Sequence, residues 1–492
     1  MKIEIIKTNY KTEVDALIIP VFVDDAQALA RIDGMVGGTL RDELVKSEFS
    51  AELGQKIMVR GKDKVKASNV VLLGAGEKSR YKTETLRRLG GEIGKIADDN
   101  YFSRVAIELP KNSTGNVRAL AEGLWLSEYR FNKYKETSET PKLKQALLFL
   151  KNPNINHERA LQGAALAVLG ATFARDLVNE PSNKMRPREI VQIAREIEAS
   201  TSQINARIFT KKELEEEGFG AINAVSAGSY TEPYLIHLVY RPDKGKVSKK
   251  IALLGKGITF DSGGISLKPA EKMSNMKADM AGAATLLGLF RVLPILELQM
   301  EIHAVLPVCE NMLSNKGVKP GDVIKSYSGK TIEILNTDAE GRVILADGLS
   351  YISKKIMPQT IIEFSTLTGA CLVALGENIA AIMTKSAKLK RDLLRASRRC
   401  GEKLWPLPLE QDYKKKMESD IADIKNISLD RWAGAIMGGL FLAEFVPPEI
   451  EFAHIDIAGP SFFEKSTISY IPSGGSGYGV RLLLEYLRIV SQ

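Results

Sequence analysis

The sequence predicts an α/β protein of two domains, a smaller N-terminal α/β domain and a larger C-terminal one built on a central mixed, mostly parallel sheet covered by helices. Its 492 residues exceed the size of one ordinary hydrophobic core. Strand-like and helix-like segments alternate along the whole chain, which is the pattern of βαβ units. Several strand candidates in the second half are apolar throughout, as expected of strands covered on both faces.

The N-terminal domain is predicted over residues 1–150, as a small macro-like α/β unit. It has no clustered carboxylates at metal-ligand spacing and no phosphate-loop pattern, so its residues favour a structural or assembly role. The glycine-rich segment 34–38 predicts only a turn. Strands are predicted at Lys2–Ile6, Ala16–Phe22, Lys56–Arg60, Asn69–Gly74, Val105–Leu109 and Ala146–Leu150, and helices at Leu40–Ser47, Thr83–Asp99 and Ala119–Glu128.

A polar cluster with a proline at residues 151–156 predicts a linker helix over residues 151–178, ended by Pro181. The C-terminal domain is then expected over residues 179–492. Its strands are predicted at Ala206–Phe209, Tyr234–Tyr240, Lys250–Leu254, Glu301–Pro307, Glu333–Leu335, Thr360–Ser365 and Phe452–Ile457. Its helices are predicted at Pro187–Ala199, Met276–Val292, Arg342–Lys354, Leu389–Arg399, Gly434–Phe445 and Val480–Ser491.

Composition predicts a cytoplasmic protein without a membrane span. The best apolar run, Ala281–Leu298, is interrupted by Arg291 and Pro294 and is too short to cross a bilayer. The N-terminus has an acid within its apolar run and predicts a strand, not a signal peptide. The cysteines are isolated in sequence, which suits a reducing compartment and argues against zinc–thiolate sites. They are Cys309, Cys371 and Cys400.

The formal net charge of +8 permits binding to nucleic acids but does not indicate it. Basic residues are scattered among acids, with short patches at Lys244–Lys250 and Lys414–Lys416. A solvated surface is the favoured interpretation of such patches. A DNA-binding or architectural role, alone or beside catalysis, stays as an alternative.

One acidic motif stands between an apolar run and a helical pattern. Asp338 and Glu340 lie there with Arg342, after the strand-like residues 332–335. In open α/β sheets ligands bind at such a junction, at the carboxyl end of a strand. Two acids so close repel one another unless a cation lies between them, and either Arg342 or a metal ion could supply it.

A second acidic stretch covers residues 254–284. It places Asp261 and Asp279 in glycine-rich loops, with Lys256 and Lys268 nearby. Taken singly, each acid could be a helix N-cap or a turn residue. Together with Asp338 and Glu340 they have too few cationic neighbours in sequence. Two divalent cations about 3.5–4 Å apart, bridged by shared carboxylates, would neutralise them and form a hydrolytic site.

Other catalytic patterns are absent from the sequence. No pair of histidines forms HExxH, and Gly255-Lys256 lacks the spacing of a P-loop. His454 lies in a strand pattern and is predicted to be a buried structural histidine. The four histidines are His157, His237, His303 and His454.

Both acidic stretches resemble the signature segments of the leucyl aminopeptidase (cytosol aminopeptidase) family of two-metal exopeptidases. The resemblance extends from about Arg175 to the C-terminus and is weak over the N-terminal domain. It implies peptide substrates, a catalytic C-terminal domain and a homohexamer. Further matching segments are residues 174–181, 431–436, 455–460 and 476–481.

The resemblance also implies a ligand set and two catalytic roles. The tighter metal would be held by Lys256 (as a neutral amine), Asp261, Asp279 and Glu340. The more exchangeable metal would be held by Asp261, Asp338 and Glu340. Lys268 would stabilise the oxyanion, and Arg342 would hold a bicarbonate ion or an equivalent base. From the residues alone, a salt bridge is the ordinary role for Lys256.

The resemblance further assigns the substrate pocket. Thr366, Leu367 and Gly369 match the loop that contacts the substrate backbone, and Met276 would line an apolar pocket for leucine-like first residues. A methionine on a helix is more often part of the core. Oxygen-rich ligation suits Mn²⁺, Mg²⁺, Co²⁺ or Zn²⁺, and Mn²⁺ or Zn²⁺ is expected.

A two-metal phosphoesterase or nuclease is the main competing hypothesis, because clustered acids with basic charge also suit phosphate chemistry. The lysine ligand and the lack of histidine at the site weigh against it.

Overall fold

The structure is a computed structural model that describes residues 1–62, 64–137, 140–245, 247–430 and 432–491. The described chain forms two compact units. The first contains Met1–Val168 and a returning segment, Lys465–Pro472, and the second contains Leu169–Glu464 and Ser473–Gln492. The division after Val168 falls inside the segment 151–178 that was predicted as a linker helix.

The first unit contains one six-stranded sheet with helices on it. The strand order is β1-β6-β5-β2-β4-β3, and only the pairing of the edge strand β3 with β4 is antiparallel. Its elements are β1 (Lys2–Lys7), β2 (Val14–Val21), α1 (Ala26–Met35), α2 (Leu40–Lys46), β3 (Lys56–Arg60), β4 (Ala67–Gly74), α3 (Thr83–Asn100), β5 (Arg104–Glu108), α4 (Thr114–Ser127) and β6 (Gln145–Leu150). The predicted strands and helices are confirmed within a few residues, and α1 was missed.

The second unit is larger, and its helices follow the long helix α5 (Ile155–Asn179). Its strands are β7 (Ile204–Phe209), β8 (Tyr234–Tyr240), β9 (Lys250–Gly255), β10 (Gly257–Asp261), β11 (Glu301–Asn311), β12 (Val323–Lys325), β13 (Thr331–Glu333), β14 (Thr360–Ser365), β15 (Ile379–Thr384), β16 (Lys403–Pro406), β17 (Ile424–Lys425), β18 (Glu451–Asp456), β19 (Phe462–Phe463) and β20 (Gly474–Gly475). Its further helices are α6 (Pro187–Ala199), α7 (Lys211–Glu217), α8 (Gly220–Ser226), α9 (Ala281–Val292), α10 (Glu340–Tyr351), α11 (Gly369–Leu375), α12 (Ala387–Cys400), α13 (Gly434–Ala443) and α14 (Val480–Val490).

The central sheet is mixed, as predicted. Its order is β16-β15-β18-β14-β9-β11-β8-β7, and β10 also pairs with β11. The middle strands β18, β14, β9 and β11 are mutually parallel. Their carboxyl ends therefore meet at one edge of the sheet, where the functional side chains described below are found.

Two predicted elements need correction. The strand predicted at Glu333–Leu335 ends at Glu333, because the Ile334 N–H donates to the Asp322 carbonyl at 2.9 Å and the Leu335 N–H to Asn426 Oδ1 at 2.9 Å. The helix predicted from Met276 begins as the tighter 3₁₀ segment Met273–Met280, and the α-helix starts only at Ala281.

Two described helical segments have the length and apolar composition of a membrane span, contrary to the prediction that none would. They are Ile155–Asn179 and Met273–Leu296, and 61% and 78% of their apolar windows are buried inside the protein. Buried core helices of globular proteins often have this length and apolar composition too, so these two segments are weak evidence for a membrane span.

Candidate metal centre

The side chains predicted from the acidic stretch 254–284 lie at the carboxyl ends of the central strands. Lys256 stands between β9 and β10, and Asp261 is the last residue of β10. Thr366 follows β14 directly, and its hydroxyl donates to Asp279 Oδ1 at 2.6 Å. The parallel sheet therefore brings these groups together in the way that α/β sheets place ligand sites.

Asp338 and Glu340 reach the same place by another route. They lie on the turn Thr337–Ala339 and at the first residue of α10, but the preceding strand β13 belongs to a separate three-stranded sheet with β12 and β17. The predicted strand-to-helix junction is therefore confirmed, but its strand lies outside the central sheet. The position of the motif depends instead on hydrogen bonds from the loops it meets.

Two residues that the sequence analysis missed connect the two acidic segments. Asn311 Nδ2, at the end of β11, donates to Asp261 Oδ1 at 2.8 Å and to the Thr337 carbonyl at 3.0 Å. The Thr337 hydroxyl donates to the Gly263 carbonyl at 2.6 Å. Asn311 and Thr337 are both buried. Their hydrogen bonds fix the positions of Asp261 and Asp338 relative to each other. Residues that hydrogen-bond to metal ligands commonly orient them in this way.

The predicted ligands converge on one cluster. Lys256 Nζ lies 2.8 Å from Asp279 Oδ1 and 2.8 Å from Glu340 Oε1. Lys268 Nζ lies 2.8 Å from Asp261 Oδ2 and also contacts Asp338. One carboxylate oxygen each of Asp261, Asp338 and Glu340 lies within 4.8 Å of the other two. Two lysines thus face four acids, which leaves an excess of negative charge.

Burial makes this excess unfavourable. Burial, together with the charge of Asp261, raises the pKa of Glu340 to about 8. Burial also raises the pKa of Asp279 to about 6, although the Lys256 ammonium opposes it. Burial lowers the pKa of Lys256, but the charges of Asp279, Glu340 and Asp261 outweigh it and hold that pKa above its usual value. The cluster therefore favours additional positive charge.

The residues present fit divalent cations. Glu340 Oε2 is buried and has no hydrogen-bond partner among the described residues, so this oxygen is available as a metal ligand. Buried polar atoms are nearly always paired, and an unpaired one calls for an ion or water. Four carboxylates and a lysine nitrogen are donors suited to Mn²⁺, Mg²⁺, Co²⁺ or Zn²⁺.

Arg342 is the third residue of α10, within its first turn, and is also buried. Its Nη1 donates to the Asn426 carbonyl at 2.9 Å, while its Nε has no hydrogen-bond partner among the described residues. Asn426 is itself held in position, because its Nδ2 donates a hydrogen bond to the Asn336 carbonyl at 2.7 Å. Burial lowers the pKa of Arg342 to about 10, so the guanidinium is still charged at neutral pH. Asn426 was missed by the sequence analysis.

An open cavity of about 290 Å³ leads to the cluster. Met276, Thr366, Leu367 and Gly369, the four residues predicted to contact substrate, all line it. The loop after β14 is fixed by Asp456, whose carboxylate accepts hydrogen bonds from the Leu367 N–H at 3.1 Å and the Thr368 hydroxyl at 2.7 Å. His454 is fully buried and hydrogen-bonded to Glu363, which confirms its predicted structural role.

Comparison with known families agrees with this geometry. Residues 172–484 match the model of the cytosol aminopeptidase family, catalytic domain, and residues 18–138 match the model of that family's N-terminal domain. The chain belongs to the cytosol aminopeptidase family. Members of this family are metal-dependent exopeptidases, so the chain is a metalloaminopeptidase-type hydrolase.

Relatives in this family match over nearly their full length. A probable cytosol aminopeptidase of Syntrophotalea carbinolica is 39% identical, over 96% of this chain and 96% of its own. One from Persephonella marina is 36% identical over 99% of each. Among solved structures, a tomato leucine aminopeptidase mutant has a TM-score of 0.90 at 31% identity, covering 99% of this chain and 96% of its own. The bottromycin maturation enzyme BotP in complex with Mn has a TM-score of 0.85 at 31% identity, over 97% and 100%.

Proposed function

We propose that this aminopeptidase uses two divalent metal ions, Mn²⁺ or Zn²⁺, to release leucine-like residues from the N-terminus of peptides. The observation that carries the proposal is the convergence of two distant segments on one buried cluster that has more carboxylates than cations. The structure of the relative BotP in complex with Mn supports the choice of a divalent metal for this fold.

The proposed ligands divide between two ions. Lys256, Asp261, Asp279 and Glu340 would hold the tighter ion, and Asp261, Asp338 and Glu340 the more exchangeable one. Such a pair would polarise the scissile carbonyl and lower the pKa of a bound water. Lys256 would bind as a neutral amine, so metal loading would displace its proton and replace the ion pairs with Asp279 and Glu340.

The two basic residues have distinct proposed roles. The Lys268 ammonium is partly exposed towards the cavity and would stabilise the negative charge that develops on the substrate carbonyl oxygen. The unpaired Nε of Arg342 leaves a donor free to hold a bicarbonate ion or an equivalent base, which would move a proton towards the leaving amine. Asn426 would orient Arg342 through its carbonyl oxygen.

The pocket supports a preference for apolar first residues. Met276 is half-buried at the cavity wall, and Leu367 lies on the loop fixed by Asp456. Thr366 and Gly369 are placed to contact the peptide backbone. The charged residues Lys272 and Glu377 line the same cavity.

We also infer a homohexamer in the cytoplasm, with residues 179–492 as its catalytic domain. Support for the compartment comes from Cys309, Cys371 and Cys400, which are buried and form no disulfide bond among the described residues. Size-exclusion chromatography with light scattering gives the oligomeric state directly.

A pair of substrates distinguishes this proposal from a two-metal phosphoesterase. The metal-loaded enzyme is expected to hydrolyse leucyl-p-nitroanilide and not bis-p-nitrophenyl phosphate, because the proposed site binds a free α-amine beside the scissile carbonyl. Dialysis against a chelator should abolish hydrolysis, and added Mn²⁺ should restore it. Hydrolysis of the phosphodiester alone, or peptide hydrolysis that survives chelation, would refute the proposal.

A further inference from the structure

The carboxylate of Asp456, the last residue of β18, accepts hydrogen bonds from two different loops. Its Oδ1 accepts from the Leu367 N–H at 3.1 Å, in the loop after β14, and from the Ala458 N–H at 3.1 Å, in the loop after β18. Its Oδ2 accepts from the Thr368 hydroxyl at 2.7 Å. One side chain therefore connects the loops that follow two neighbouring parallel strands.

Both of these loops form part of the wall of the substrate cavity. Residues 366–368 line the cavity from the loop after β14, and residues 458–459 line it from the loop after β18. We call residues 366–368 the first wall and residues 458–459 the second wall. Met276, which is proposed to contact the first side chain of the substrate, lines the same cavity.

The helix α11 connects the two walls a second time. Thr368 is the N-cap of this helix, since its hydroxyl oxygen accepts a hydrogen bond from the Cys371 N–H at 3.1 Å. At the other end of α11, a Cβ atom on Gly459 would clash with the Gly376 carbonyl oxygen, so the second wall packs directly against that end. Asp456, the first wall, α11 and the second wall therefore form a closed ring of contacts.

An aspartate suits this position better than a neutral residue of the same shape. Asp456 is fully buried, where a carboxylate is costly unless hydrogen bonds satisfy its oxygens. Three donors converge on its two oxygens, and an ionised carboxylate offers only acceptors to them. An asparagine has a single acceptor oxygen and would turn its own N–H groups towards a donor. The carboxylate is therefore matched to holding both walls at once.

We propose that Asp456 is a positioning residue that holds the two walls at a fixed separation and so sets the width of the pocket for the first side chain of the substrate. This inference rests on the proposed function, because it takes the loop after β14 as the substrate loop. Asp456 is not among the residues that line the cavity, so it acts through the walls. A pocket of fixed width discriminates about 10- to 200-fold for one methylene, and a loosened pocket loses part of this discrimination.

Asp347 provides a matched control in the same domain. It is also fully buried, and its carboxylate accepts three hydrogen bonds, from the backbone N–H groups of Ala221 at 3.0 Å, Ile222 at 2.9 Å and Tyr327 at 2.7 Å. These three residues are not among those that line the cavity. Removing the Asp347 carboxylate should therefore destabilise the protein as removing that of Asp456 does, but without moving a cavity wall.

Amide hydrogen exchange of the full-length, Mn²⁺-loaded protein measures the connection between the walls without relying on catalysis. In Asp456→Ala, exchange should rise at least about tenfold in both walls, because the Leu367 and Ala458 N–H groups lose their acceptor. In Asp347→Ala, both walls should exchange within about twofold of the wild-type rate.

Two substitutions at Thr368 test the same connection more mildly and serve if Asp456→Ala fails to fold. Valine has the shape of threonine without the hydroxyl group, so Thr368→Val should raise exchange in the first wall and leave the second wall protected. Thr368→Ser keeps the hydroxyl group and should leave both walls protected. This pattern distinguishes a hydrogen-bonded connection from simple packing.

Steady-state kinetics measure the consequence for substrate selection. The ratio of kcat/KM for leucyl-p-nitroanilide to that for alanyl-p-nitroanilide should fall at least about fivefold in Asp456→Ala, mainly through a higher KM for the leucyl substrate. In Asp347→Ala the ratio should stay within about twofold of the wild-type value, since the walls keep their separation.

Two results would overturn the inference. One is wild-type protection of either wall in Asp456→Ala, and the other is a selectivity ratio that falls equally in Asp456→Ala and Asp347→Ala. A metal-loaded wild-type protein that hydrolysed neither p-nitroanilide would instead refute the proposed function, and the exchange rates would still decide whether Asp456 holds the two walls together.

Discussion

Replacing Glu340 by Gln is expected to lower kcat/KM for leucyl-p-nitroanilide at least about 1000-fold, which corresponds to about 4 kcal/mol of transition-state stabilisation. Glu340 is proposed to bridge both metal ions, and an amide of the same size removes the charge that binds them. The fold should survive, because burial already raises the pKa of Glu340 to about 8 and a neutral group is tolerated there. Steady-state kinetics with saturating Mn²⁺ and thermal unfolding of the same samples measure both effects.

Glu377 provides the matched control for this substitution. It lines the same cavity but is exposed. Glu377→Gln should therefore keep kcat within about twofold, since exposed charges contribute little. If Glu340→Gln retained a tenth of the wild-type activity, or if both variants lost activity equally, the proposed ligand role of Glu340 would be wrong.

Replacing Lys256 by Met is expected to destabilise the metal-free protein by about 3–5 kcal/mol, because removing one partner of a buried ion pair leaves the other charges uncompensated. Lys256 is 2% exposed and contacts both Asp279 and Glu340. Part of the loss should be recovered at lower pH, since the raised pKa values of these two acids mean that the folded state takes up their protons more readily than the unfolded state. Urea unfolding between pH 6 and pH 9 measures this, with stability falling as pH rises.

The variant should also fail to retain the tighter metal ion, whereas Lys272→Met, at an exposed lysine of the same cavity, should retain it. Metal content after gel filtration distinguishes the two. Retention of two ions per chain by Lys256→Met would show that this lysine is only an ion-pair partner of the acids.

The sequence located the acidic side chains of the site but not the structure that holds them. Asp338 and Glu340 were correctly grouped with Asp261 and Asp279. Motif spacing and family resemblance depend only on which residue stands at each position, and the sequence gives that directly. The sequence predicted a strand before Asp338 but not the sheet to which it belongs, since an apolar run such as residues 332–335 is compatible both with the central sheet and with the small separate sheet that the structure shows.

Asn311 and Asn426 could not be predicted from local sequence. Asparagine is common in turns and at strand ends, and the hydrogen bonds of these two residues join segments that are distant in the chain. β10 was missed for a similar reason, because Gly257 and the residues after it look like a glycine-rich loop until β11 pairs with them.

The central claim is that four acids and a deprotonated lysine hold two metal ions, and a crystal structure of the Mn²⁺-loaded protein tests it most directly. Anomalous scattering at the manganese edge should show two ions per chain, one of them bound by Lys256 Nζ and both of them contacting Asp261 and Glu340. A map with no ions in the cluster, and with Lys256 still in hydrogen-bond contact with Asp279 and Glu340, would contradict the account.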